Sequence, residues 1–118
     1  MSERFAPGDI LVFQIESGYG LLKVIGTDKT GADTKWHVKA YRDLFMDIEM
    51  AELAVASPES LTVEIPHVAM TDRAFESTQV STLSRAEVTA EEIQAIESWK
   101  ANGAEVSDRS VRLLLGLR

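Results

Sequence analysis

Ile10-Leu11-Val12-Phe13-Gln14-Ile15-Glu16, then Ser17-Gly18-Tyr19-Gly20, then Leu21-Leu22-Lys23-Val24-Ile25: this continuous stretch decides the fold. The first run is rich in β-branched and aromatic residues, which suit a pleated, half-buried strand. A period of two puts Leu11, Phe13 and Ile15 on one face and Gln14 and Glu16 on the other. Ser17–Gly20 reads as a short loop whose glycines supply the positive φ of a tight hairpin. Leu21–Ile25 is the return strand, and Pro7-Gly8-Asp9 is the turn that leads in.

Outward from this hairpin, Thr27–Thr34 is a polar loop of turn formers. Lys35–Arg42 alternates cleanly. Trp36, Val38 and Ala40 take one face, and His37, Lys39 and Tyr41 form a polar outer face. Residues 43–57 permit a strand extension or a helix. Good helix formers followed by Ser57-Pro58 favour a short helix over about 48–56. Leu61–Ile65 alternates as a strand that Pro66 brings to an end. No pattern places 67–77. Within it, Thr71–Ser77 reads as a polar loop with Phe75 plugged into the core and Arg73 paired to Asp72 or Glu76. Thr78–Leu83 is a further strand.

Thr89 and Glu92 form a capping-box pattern, and Val88 with Ile93 offers a hydrophobic staple, so a helix starts at 90 and runs to 102. Ile93, Ile96 and Trp99 are its expected buried face, with Glu91, Glu92, Gln94 and Glu97 in solvent. Arg109–Leu115 favours a short final helix, with Ser107 as a candidate cap, over a closing strand. Trp36 and Trp99 are expected in the core. These elements predict an α+β fold in a single domain, 1–118. Its sheet is mainly antiparallel, a curved sheet or small barrel, with two or three short helices.

Composition sets bounds on function. With 118 residues, 45% apolar and 26% charged, the chain is of ordinary globular type. Without cysteine it has no disulfide, thiolate metal site or thiol nucleophile. No run approaches 18 apolar residues, and Met1–Phe5 lacks a signal-peptide pattern, so the expectation is a cytoplasmic protein that does not engage a membrane. A net charge of −7 opposes binding to nucleic acid. The charge is uneven. No Lys or Arg occurs from Asp43 to Asp72, where seven of the 19 acids lie; the other 12 match the 12 bases, so this stretch carries the whole excess. Clustered in space, those acids would attract a basic protein partner, with Asp43, Asp47, Glu49 and Glu52 as candidate contacts.

Reaction chemistry finds little support. His37 and His67 stand apart in sequence and belong to no HxH or HExxH pattern, so no metal or other cofactor is expected. There is no GxSxG elbow. Gly18-Tyr19-Gly20 joins two strands and leads into no helix, so it cannot cradle phosphate. The reading that leaves room for a small ligand, or for a minor enzyme, places a pocket near His37, Tyr41 and Arg73, the last able to hold a carboxylate or phosphate. A third reading is self-association through Leu113, Leu114 and Leu115.

Pro7–Phe13 followed by Gly18–Ile25 resembles the first hairpin of bacterial toxin-immunity proteins built on a small SH3-like barrel, a resemblance that covers residues 7–48. It implies a barrel-like sheet and a non-enzymatic inhibitor that occludes a basic partner such as a nuclease toxin. No functional residue is carried over from it.

Overall fold

The first strand carries apolar side chains on both of its faces, so its sheet has to be covered twice, and it is. A computed structural model describes residues 5–29 and 34–117. The loop expected over Thr27–Thr34 is described only at its ends, and the rest of it lies outside the described residues. Five antiparallel strands, β1 (Asp9–Ile15), β2 (Gly18–Asp28), β3 (Lys35–Tyr41), β4 (Val63–Met70) and β5 (Val80–Arg85), lie in the order β4-β3-β2-β1-β5. The sheet is open, with β4 and β5 as its edges.

Among the described residues four α-helices cover it. α1 (Ile48–Val55) and α3 (Ala90–Ala101) lie on one face, and α2 (Asp72–Ser77) and α4 (Val111–Leu114) on the other. Leu11, Phe13, Leu22, Val24, Trp36 and Val38 pack with Phe75 and Val111. Ile10, Val12, Leu21 and Tyr41 pack with Ala51 and Val55. The fold is α+β, and no helix among the described residues is long and apolar enough to cross a membrane.

The hairpin turns more tightly than the glycines suggest. Ile15 pairs with Gly18, so Glu16-Ser17 is the whole turn, and Gly18 and Gly20 belong to β2. The glycines matter for close approach. Gly18 lies under the Phe45 carbonyl, where Tyr19 and Phe45 exchange backbone hydrogen bonds of 2.8 and 2.9 Å. Gly20 is covered by the ring of its cross-strand partner Phe13, and a Cβ there would come within 2.5 Å of that ring. Gly20→Ala is therefore expected to cost about 1–3 kcal/mol through overpacking, measured as a fall in the urea midpoint at unchanged m. An unchanged midpoint would show that Phe13 swings away freely.

Pro66 does not end its strand. β4 continues through it to Met70, because at an edge the missing N–H costs no ladder bond and the register shifts between Val38 and Tyr41 absorb the misfit. Thr71–Ser77 is a helix, not a loop, capped by the Thr71 hydroxyl, which accepts from the Ala74 N–H. Phe75 is buried as expected, stacked on Trp36 at 4.0 Å. Ser110, not Ser107, caps the final helix; Ser107 instead bonds alongside β4 at Ala69 and Thr71. The last strand starts at Val80, two residues later than its pattern suggests.

Candidate functional site

α1 has too many apolar residues for one buried stripe. Asp47 starts it by accepting the Met50 N–H at 2.9 Å. Ile48, Ala51 and Val55 then turn to the sheet. Met50 and Leu53 are left facing away, 48% and 79% exposed, and Met46 just ahead of the cap is 82% exposed. A helix with apolar residues on most of its circumference belongs in an interior. Here its outer side is in solvent. Glu49 and Glu52 are exposed beside these residues.

The four predicted contact acids thus divide. Glu49 and Glu52 are exposed on α1, and Asp47 spends one oxygen on the helix cap. Asp43 accepts the Thr62 N–H at 2.6 Å and steadies the chain before α1. The base-free run from 43 to 72 is not one patch. Glu64 pairs with Arg42 at 2.7 Å, and Asp72 lies on the opposite face of the sheet, accepting from the Trp36 indole at 2.8 Å.

A second cluster lies between the sheet and α3. Lys23 and Lys39 are directly opposite each other across β2 and β3. Like charges in that register repel, and Glu92 lies between them, 2.9 Å from the Lys23 Nζ and 2.8 Å from the Lys39 Nζ. Lys23 also donates to the Glu87 carbonyl at 2.9 Å. Burial pushes the Glu92 carboxyl up, but hydrogen bonds from Lys39, the Thr89 backbone and Lys23 outweigh it and hold the group below its usual range.

Glu92 is 3% exposed, whereas Ile93 is 52% exposed. The expected face of α3 is therefore rotated. Glu92, Ile96 and Trp99 turn inward because the buried Lys23 ammonium and the half-buried Lys39 beside it need a carboxylate more than the sheet needs Ile93. The polar outer face expected for β3 is accordingly a covered one, with His37 and Tyr41 buried. Burial and the Glu92 charge push the Tyr41 hydroxyl up to about 12.

Farther along α3 the two histidines meet. His37 Nδ1 is 2.9 Å from His67 Nε2, one ring donating and the other accepting. Trp99 stands edge-on to His37 with ring centroids 4.7 Å apart. Among the described residues no group of three His, Asp or Glu side chains converges as a metal site.

The residues of the expected ligand pocket, His37, Tyr41 and Arg73, do not come together. His37 and Tyr41 share one face, whereas Arg73 is on α2 across the sheet, paired with Asp108 and not with Asp72 or Glu76. Of the C-terminal leucines, Leu113 is 66% exposed, while Leu114 and Leu115 pack against the core.

The sequence reading missed three things: the outward Met46-Met50-Leu53 side, the Glu92 anchor and the histidine pair. Lys23 gave a signal, a lone charge between Leu22 and Val24 in an otherwise apolar strand. Scans of protein-family models and searches of curated proteins and solved structures return no match for this chain.

Proposed function

We propose that the chain is a non-enzymatic protein-binding module, of an acidic, immunity-type inhibitor character, that docks a basic partner on the outer side of α1. The observation that carries this is the exposure of Met46, Met50 and Leu53 beside Glu49 and Glu52. Contiguous exposed apolar side chains rimmed by polar ones mark interaction surfaces. Methionine suits such a surface because its unbranched, polarizable side chain adapts to the shape opposite. The acids supply complementarity, so the occupant is a segment that presents apolar side chains flanked by Lys or Arg. Charge speeds the encounter, and the apolar contact holds the complex.

The test compares wild type with Met50→Ser/Leu53→Ser and with Glu49→Lys/Glu52→Lys, as tagged bait in lysate at low and high salt. One basic protein should be retained stoichiometrically by wild type and lost from the Met50/Leu53 variant. With that protein purified, the double charge reversal should slow association about tenfold at low salt and much less at high salt. Equal capture by wild type and the Met50/Leu53 variant would overturn the assignment of this surface. Unchanged association by the charge-reversed form would remove the electrostatic part. All three forms should keep the same circular dichroism, since none of the four side chains is buried.

A further inference from the structure

α3 is held to the sheet by different chemistry at its two ends. The N-terminal end carries the capping box and Glu92 between Lys23 and Lys39. The C-terminal half leans on Ile96, which reaches Gly26 so closely that a Cβ there would be 2.7 Å from its Cδ1, and on Trp99 against the two imidazoles. Nothing charged from α3 neutralises those rings. Of the groups that act on His37, Lys100 on α3 and Lys35 on β3 are cationic, and Asp28 on β2 is the acid. From the segment after α3, Glu105 shares a cleft of about 450 Å³ with His67, Trp99 and Ser107, which admits water to the His67 side of the pair.

A bonded imidazole pair tolerates two of its three charge states. With no added proton, one N–H fills the gap. With one added, an imidazolium donates to a neutral ring. With both rings charged, each nitrogen in the gap carries a hydrogen, and a separation of 2.9 Å cannot hold two.

We propose that the C-terminal half of α3 is an acid-released strap, docked while the His37–His67 pair keeps a neutral ring and lifted from β2, β3 and β4 when both rings are charged. Glu92 stays between its lysines and acts as the hinge.

The direction follows from linkage. Burial, then the neighbouring His67, push the His37 imidazole down to about 4, and burial lowers His67. A lifted strap returns the rings to water and towards their ordinary value of about 6.5. The lifted form therefore binds protons more readily. Docking is at full strength above about 6.5 and is lost as pH falls towards about 4. The His37 shift, to which the neighbouring His67 contributes, moves the docked-to-lifted ratio by up to about 300-fold across that window. Glu92, held below its usual range, stays charged through most of it, so the hinge outlasts the strap.

Trp36→Phe leaves Trp99 as the single tryptophan reporter in the full chain. Between pH 7.5 and 4.5 its emission should shift with a midpoint between 4 and 6.5, while far-ultraviolet circular dichroism keeps its sheet signal. Amide protection across residues 96–101 should fall at least tenfold while that of Glu92 and Ile93, whose N–H groups are held by Thr89, changes little. The exchange measurement is made on wild type as well, so it stands if Trp36→Phe does not fold. His67→Gln retains an acceptor for His37 without titrating, and should reduce the change in protection at least threefold. Flat protection of 96–101 down to pH 4.5 would overturn the proposal. So would an undiminished transition in His67→Gln, or loss of the whole fold in the same step.

Discussion

Glu92→Gln should lower stability at pH 7 by about 3–5 kcal/mol, because it leaves two ammonium groups facing each other beneath α3 with no counter-charge. Lys23 is 4% exposed and cannot reach solvent to relieve this, and Lys39, at 21%, can do so only in part. For a chain of this size the loss corresponds to a fall in Tm of roughly 10–20 °C. Adding Lys39→Met to Glu92→Gln should recover much of it, since the remaining Lys23 keeps the Glu87 carbonyl and is no longer opposed by a like charge. The double variant distinguishes charge repulsion from simple loss of packing. Thermal unfolding followed by circular dichroism checks both. A Glu92→Gln protein that melts within about 3 °C of wild type would mean that water screens the cluster far better than its burial implies.

Phe75→Ala should be of similar size, about 3–5 kcal/mol, for a different reason. Phe75 is fully buried, stacks on Trp36 with the ring planes 6° apart, and takes the edge of Phe5 at 5.9 Å. Removing it leaves a cavity on the face of the sheet where α2 is a short helix with only Ala74 and Phe75 buried. The void cannot be filled by α2 alone. Phe75→Leu should cost clearly less, because it keeps most of the volume and loses the aromatic contact. Urea unfolding separates the two variants, and equal midpoints for Ala and Leu would show that α2 collapses onto the sheet and closes the gap.

The meander was legible because period-two patterning is a local property. Ile10–Ile15, Leu21–Ile25 and Trp36–Tyr41 announce their strands without reference to anything distant. The α3 cap was legible for the same reason, since Thr89 and Glu92 are three residues apart. What covers each face was not local. His37, Lys39 and Tyr41 have the polarity of a solvent face, and only the approach of α3 from more than fifty residues away turns it into an interior. Glu92 reads as a solvent residue because a capping-box glutamate is normally exposed. Here one oxygen accepts the Thr89 N–H at 3.0 Å, and the carboxylate also meets two lysines. Pro66 reads as a strand end because sequence does not say which strand forms an edge. The outward side of α1 escaped for the converse reason. Its excess of apolar residues was visible, but which of them faces the sheet depends on where the helix docks.

The pairing of β1 with β5 has a consequence for synthesis. Asp9 and Arg85, which close that ladder, are 76 residues apart. At ribosomal speeds of roughly 5–20 residues per second, the interval between them takes about 4–15 s. Once Lys23, the partner of Ile10, has followed and the first hairpin can close, the outer edge of β1, the strand Asp-Ile-Leu-Val-Phe-Gln-Ile, has no neighbour for the rest of that interval. An unpaired apolar edge is a template for other chains. The growing chain therefore carries an exposed adhesive edge until β5 has been made. Substitutions that weaken β5 should show themselves first as insoluble product in fast expression, and be relieved by slower translation or added chaperone, before they register as a lower melting temperature.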